Sequence, residues 1–327
     1  MKKTLLILLA AAVLLPALVT AQEEPQARLL ALEAARDYLE KSRYPEHSKV
    51  LAPEAVDPLR DERASNPVTV RNKNLPAASL AVWSEDISYR LGQTMAFYAR
   101  PAGFTAASIT GTLSRDDGRF GQRLVFVDDG TGVDLQAGDG VYSAGFMASP
   151  KMNPELAHLY QVKVNAMLAS GEQLNAITGF VLSNPWADLT GAYRDRIEGG
   201  NLVIEAQVKV HRAGRFHLSG VLHELDGGPI GTSQVALELE PGTHWMPLSF
   251  YGLMFHDRQV SGAVKLGSLS LSTTGGMPNA LGKLVTDAHV VNVLEKASLR
   301  SVPYGNAADL DAARRLERDA ARALAER

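Results

Sequence analysis

The chain has 327 residues, of which 46% are hydrophobic, and a length of this order suffices for about two domains with sizeable cores. Its 33 basic and 36 acidic side chains give a formal net charge of −3, which lacks the basic footprint of a nucleic-acid-binding protein. Cysteine is absent, which excludes disulfides and thiolate nucleophiles, so cohesion must come from packed cores or bound metal.

The N-terminus has the pattern of a cleaved export signal. Lys2 and Lys3 precede an apolar stretch from 5 to 19, and Val19-Thr20-Ala21 supplies the small residues that a signal peptidase reads. We therefore predict a signal peptide over 1–21; the alternative is an uncleaved anchor. No later run of about 18 apolar residues occurs, so we expect an exported bacterial protein, periplasmic or secreted, without a transmembrane segment after cleavage.

Residues 22–76 are predicted to form a helix followed by an extended linker. Leu29, Leu32, Ala35 and Leu39 recur at helical spacing between 25 and 42. Prolines and charges are frequent from 45 to 76, which favours an extended segment that lies along the next domain.

From about residue 77 the hydrophobic period changes to two, which is typical of β-strands. Short strand-like segments separated by Gly, Asp and Pro turns have the spacing of an immunoglobulin-like sandwich, and Asn184-Pro185-Trp186 divides them into two series. The predicted fold class is mostly β, with two tandem Ig-like antiparallel β-sandwiches over 77–184 and 185–300 and short N- and C-terminal helices. The predicted strands cover 88–91, 94–98, 108–113, 124–127, 141–146, 159–167 and 176–182, then 202–209, 215–223, 230–239, 243–250, 266–273 and 284–293.

Residues 301–327 are predicted to hold an amphipathic helix that begins near Asn306, whose side chain can cap it. The helix is expected to pack against the protein's own surface, and self-association or docking on a partner are the alternatives. Its apolar side consists of Leu310, Ala313, Leu316, Ala320 and Leu324.

One segment combines carboxylates with flexible backbone. Asp128, Asp129, Asp134 and Asp139 alternate with four glycines between 128 and 140. Calcium takes six to eight oxygen ligands, and glycines let a loop curl around the ion. The pattern predicts a structural Ca²⁺ site in a loop between strands, although its spacing is not that of an EF-hand. The alternative is a pair of Asp/Gly turns whose Asp side chains cap their own backbone.

The same stretch, Asp-Asp-Gly-x-Gly-x-Asp-x-x-Ala-Gly-Asp-Gly-Val-Tyr-Ser over 128–143, resembles a signature of exported bacterial proteins with "choice-of-anchor" immunoglobulin-like domains. Segments 37–45, 214–222, 239–245 and 266–271 are similar to other parts of such proteins. The resemblance implies the fold and calcium, and it implies no reaction. Val133 stands where the resemblance leads us to expect glycine.

Catalytic signatures are absent from the sequence. It has no Gly-x-Ser-x-Gly, no His-Glu-x-x-His and no phosphate-binding Gly-Lys-Ser/Thr loop. His211, His217 and His223 are six residues apart, and such a spacing spans about 20 Å along a strand, too far to share one ion. We therefore expect these histidines to be half-exposed on their strands.

The sequence therefore favours a non-catalytic envelope or secreted protein, a calcium-stabilised spacer or binding module whose partner is an unknown protein or envelope component. The alternatives are a hydrolase of unrecognised type that acts on envelope material, and a subunit of an envelope complex that uses residues 25–76 or 306–327 as its contact.

Overall fold

The structure, a computed structural model, describes residues 15–61, 65–71, 73, 76–152, 155–292 and 296–325. Residues 1–14, which hold most of the predicted export signal, lie outside the described residues. Half of the chain is strand and 16% is helix, arranged in several antiparallel sheets, so the predicted mostly-β class is confirmed. None of the described helices is both long and apolar enough to cross a membrane.

The N-terminal region contributes a long helix and a segment that joins the second half of the protein. Helix α1 (Leu15–Lys41) covers all but the last residue of the helix predicted over 25–42. Residues 45–61, which we call the strap, hold strand β1 (Ser48–Val50) and helix α2 (Pro58–Asp61). The strap was predicted as a linker along the following domain, but it packs instead against the second sandwich, where β1 completes a sheet edge.

The first sandwich encloses a core from Ala78 to Leu182 between two sheets, in the orders β4-β10-β9-β6-β7 and β2-β3-β5-β8. In β9 and β10 buried and exposed residues alternate, as the period of two requires, and Tyr160 stacks on Phe180 between the sheets. A 3-10 helix over Pro150–Met152 precedes β9. The strands are β2 (Val68–Arg71), β3 (Ser79–Ser84), β4 (Ser88–Arg90), β5 (Thr94–Ala102), β6 (Ala106–Arg115), β7 (Gly121–Val125), β8 (Tyr142–Met147), β9 (Ala157–Leu168) and β10 (Gln173–Ser183).

The second sandwich pairs a three-stranded sheet, β11-β12-β15, with a six-stranded sheet in the order β1-β14-β13-β16-β17, in which β18 also pairs with β16. Its core includes Phe216, Phe250 and Phe255, which are fully buried, together with Tyr44 of the strap's N-terminal flank. A 3-10 helix over Lys296–Ser298 follows the last strand. The elements are β11 (Ala187–Glu198), β12 (Asn201–Val210), β13 (Gly214–Glu224), β14 (Pro229–Leu239), β15 (Gly242–Phe250), α3 (Leu253–Asp257), β16 (Val264–Thr274), β17 (Ala280–Leu281), β18 (Val285–Val291) and α4 (Ala307–Ala325).

The two sandwiches meet where β10 ends and β11 begins, and three residues separate these strands. Arg90 and Asp188 form an ion pair of 2.9 Å across the junction, and the Leu281 amide donates to the Ser183 hydroxyl at 3.1 Å. These two polar contacts therefore stabilise the junction between the sandwiches.

The terminal helices α1 and α4 pack against each other. Asn306 caps α4 as predicted, since its side chain accepts the Ala308 amide at 3.0 Å. The Gly305 amide donates to the carbonyl of Ser42, so α4 begins beside the end of α1 and runs back along it. Ala35, Ala313 and Ala320 are buried in this pair, which places the predicted C-terminal helix on the protein's own surface.

Candidate functional site

The Asp/Gly loop between β7 and β8 brings three of the four predicted carboxylates together. Oxygen atoms of Asp128, Asp134 and Asp139 all lie within 4.8 Å of one another. Asp134 is 8% exposed, so one member of this cluster is buried in protein. Three carboxylates at this separation repel one another unless a cation or hydrogen-bond donors compensate their charge.

Backbone amides supply part of that compensation. Asp128 accepts hydrogen bonds from the amides of Gly138 at 2.7 Å and Gly140 at 3.0 Å. Asp134 accepts the Gly130 amide at 2.6 Å. The loop can present these amides because Gly130 and Gly140 have φ values of 72° and 80°, which residues with a Cβ rarely adopt. The sequence thus folds this segment around its own carboxylates.

Asp129 lies outside the cluster. Its exposed carboxylate accepts from the amide and the hydroxyl of Thr131, at 3.0 and 2.8 Å, and so caps its own turn. Of the four predicted metal ligands, the structure therefore gathers Asp128, Asp134 and Asp139 and turns Asp129 away.

The loop folds over the outer face of the sheet that contains β8. Val133 covers Gly145, where an added Cβ would lie 3.0 Å from a Val133 methyl group. Ser143, two residues before Gly145 and on the same face, is 1% exposed, and its hydroxyl has no hydrogen-bond partner among the residues that the structure describes. A buried, unpaired hydroxyl is costly. Together with Thr131 and Val133, Ser143 lines a cleft of about 500 Å³ beside the loop.

A second polar cluster joins the strap to the second sandwich, and sequence reasoning missed it. The Asp57 carboxylate accepts the Ser268 hydroxyl at 2.5 Å and contacts His223 Nε2 at 2.8 Å, and all three residues are buried. Arg60 donates from Nε to the Ser268 hydroxyl at 3.0 Å. Burial alone would raise the pKa of Asp57, but the hydrogen bonds from His223 and Ser268 hold it below its ordinary value.

The order of groups in this cluster differs from that of a hydrolytic triad. In a triad the histidine lies between the nucleophilic serine and the aspartate and takes the serine proton. Here Asp57 lies in the middle, and its Oδ2 atom contacts both Ser268 and His223. Its Oδ1 atom accepts the Leu59 amide at 3.0 Å and caps α2, so the cluster acts as a clip that fastens the strap.

The histidines that the sequence spaced six apart are not gathered. His211 contacts Asp188 at 3.0 Å near the junction, whereas His223 is buried against Asp57. His217 lines a separate cleft of about 340 Å³ between the strap and β13 and β14. No signal in the sequence pointed to Asp57 as the partner of His223, because 166 residues separate them.

Comparison with known proteins gives one family match. The C-terminal domain of DUF4785, a domain of unknown function, matches residues 187–280, which run from β11 to β17. The similarity is therefore to an uncharacterised domain family. The resemblance to choice-of-anchor proteins stays a prediction, and no curated protein matches the chain.

Two solved structures are similar in part. A DUF4785 family protein from Legionella pneumophila has 20% identity and a TM-score of 0.46, covering 66% of this chain. The chain spans 56% of the length of that protein. Trypsin-activated alpha-2-macroglobulin from Escherichia coli has 10% identity and a TM-score of 0.25, with 66% of this chain and 15% of that chain covered.

Proposed function

We propose that this chain is a non-catalytic exported protein, periplasmic or secreted, whose sandwiches act as a calcium-stabilised spacer or binding module for a protein or envelope component. The observation that carries the calcium part is the convergence of Asp128, Asp134 and Asp139 within 4.8 Å, with Asp134 buried.

The donor set fits a hard cation. Carboxylate oxygens are the ligands that Ca²⁺ prefers, and backbone carbonyls and water complete its six to eight contacts. Each of Asp128, Asp134 and Asp139 offers at least one oxygen, and the loop carries further carbonyls. Bound calcium would remove the mutual repulsion of the three carboxylates and would fix the loop that links β7 to β8.

The arrangement of the buried polar groups favours a non-catalytic role. The buried group around Asp57 has its aspartate in the central position, and the hydroxyl of Ser268 already donates to it and accepts from Arg60. A hydrolase needs a nucleophile that its base can deprotonate. This cluster supports attachment of the strap instead.

Thermal unfolding with and without calcium tests the proposal. For a site with a Kd in the range of about 0.1–1 mM, typical of extracellular modules, about 10 mM Ca²⁺ stabilises the native state by roughly 1.4–2.7 kcal/mol. In a sandwich of this size, that raises the melting temperature by roughly 5–10 °C relative to a chelator.

Variants in the same loop provide matched controls. Asp134→Asn and Asp139→Asn should each lose most of the calcium-dependent shift, whereas Asp129→Asn should retain it because Asp129 lies outside the cluster. An unchanged melting temperature between chelator and calcium in the parent protein would defeat the proposal.

A further inference from the structure

The first sandwich is open along one side, between the last strands of its two sheets. β7 and β8 are each the terminal strand of a sheet. They touch at one isolated bridge, in which Val127 and Ser143 exchange backbone hydrogen bonds of 2.9 and 2.7 Å. Beyond this bridge the two strands separate, and the cleft of about 500 Å³ lies between them.

The strand registers determine which backbone groups face the cleft. The Phe126 amide donates to Ile109 on β6, and groups alternate in direction along a strand, so the N–H and C=O of Val125 point away from β6. On β8, Ser143 faces outward to Val127, so Gly145 and Met147 face outward too. These outward groups have no ladder partner among the described residues.

The cleft also exposes apolar side chains. Val125 is 62% exposed, Met147 is 63% exposed and Val127 is 37% exposed. Free backbone donors and acceptors beside exposed apolar side chains form a template for a further strand. Ser143 is already paired with Val127, so the free rim on β8 runs from Gly145 to Met147, about 7 Å, which is enough to pair three residues of an extended chain.

The two ends of the cleft differ in charge. Thr131 lines the end next to the Asp/Gly loop, where its hydroxyl donates to the exposed Asp129. Arg123, two residues before Val125 on β7, is exposed beyond the residues that line the opposite end. A ligand that is complementary to this gradient carries its positive charge at the end that meets the Asp/Gly loop.

We infer that this cleft, which we call the β7–β8 cleft, binds an extended segment of a partner protein as an added strand beside β8. The segment is apolar at alternate positions and has a basic residue at the end next to the Asp/Gly loop. The inference deepens the proposed binding function and rests on it, but it does not require bound calcium.

A labelled synthetic peptide provides the test. The acetylated peptide Lys-Thr-Val-Thr-Val-Thr, followed by fluorescence anisotropy in calcium and in chelator, should bind saturably with a Kd below about 1 mM. The same peptide with N-methylated amides keeps its side chains but loses its donors, and it should bind at least about tenfold more weakly. Replacing its Lys with Glu should also weaken binding.

Variants of the protein locate the binding. Val125→Lys combined with Met147→Lys should lower the affinity at least about tenfold without lowering the melting temperature, because both side chains are exposed. Ile177→Lys, at a similarly exposed residue on β10, is the control and should bind normally. Peptide binding should slow hydrogen exchange at the amides of Gly145 and Met147.

Three results would overturn the inference: no saturable binding, equal binding of the N-methylated peptide, or equal binding by the double lysine variant. Self-association that the double lysine variant abolishes would assign the cleft to a second copy of the chain instead. Loss of the calcium-dependent melting shift with peptide binding intact would count against the calcium site alone, so the two proposals fail separately.

Discussion

Replacing Asp57 with alanine removes the carboxylate that clips the strap to the second sandwich. The substitution takes away the cap of α2, which is worth about 1 kcal/mol. It also leaves the hydroxyl of Ser268 and Nε2 of His223 buried without their acceptor, at a cost of about 1–3 kcal/mol. We therefore expect Asp57→Ala to lower the free energy of local unfolding of the strap by about 2–4 kcal/mol.

Native-state hydrogen exchange measures this loss where it occurs. The Leu51 amide donates to Ile230 at 2.9 Å and the Gln234 amide donates to His47, so these amides report whether β1 is docked. In Asp57→Ala both should exchange faster by a factor that corresponds to the lost free energy, while amides of β12 keep their protection. Asp61→Ala, at an exposed position of the same helix, is the control.

Acidification should reproduce part of the effect. The pKa of Asp57 is lower in the folded protein than its ordinary value, so its ionised form contributes stability above the unfolded pKa of about 4. That contribution is lost as the pH falls through the lower, folded pKa. The difference in protection of the strap amides between the parent protein and Asp57→Asn should become smaller as the pH falls over this range. Equal protection of the strap amides in Asp57→Ala and Asp61→Ala at neutral pH would refute the clip.

Two further substitutions test packing and charge in the second sandwich. Gly267→Ala should destabilise it by about 1–3 kcal/mol in a urea titration, because an added Cβ would lie 2.3 Å from the His223 ring. A change below roughly 0.5 kcal/mol would contradict this expectation. Glu205→Gln should lower stability by about 0.5–1 kcal/mol at pH 7, since a hydrogen bond from Arg194 and the charge of Arg196 lower the pKa of Glu205. The ionised Glu205 contributes stability above its unfolded pKa, and this contribution is lost as the pH falls through its lower, folded pKa. The stabilities of the variant and the parent protein should therefore become equal in acid. A difference in stability that stays constant with pH would contradict this role of Glu205.

The strands with strong alternation were predictable from local pattern. β9 and β10 follow the period of two closely, and their buried residues lie where that period places them, whereas β12 has five consecutive buried residues from Leu202 to Ala206. β11 was not predicted, because as an edge strand it is largely exposed and carries charges where a buried strand has apolar residues. A hydrophobic period of two arises only where one face of a strand is buried, and a largely exposed edge strand therefore shows no such period.

One candidate site was predictable from a local sequence pattern, and the other was not. The clustering of Asp128, Asp134 and Asp139 follows from Asp/Gly spacing within one loop, so a local reading could find it. The clip at Asp57 depends on β13 and β16 reaching a segment far upstream in the chain. His223 was expected to be half-exposed on its strand, and it is buried because the strap covers it. Contacts over such a separation leave no periodic trace in a single sequence.

The antiparallel pairing of α1 with α4 determines how the protein would respond to mechanical load. At 1.5 Å per residue, α1 from Gln22, the residue that follows the predicted signal peptide, and α4 extend for about 30 and 28 Å, and their distal ends lie away from the Ser42–Gly305 contact. Tension applied between the distal ends of the two helices would separate them progressively from those ends. The β-sheets would remain unloaded until that separation reached the second sandwich.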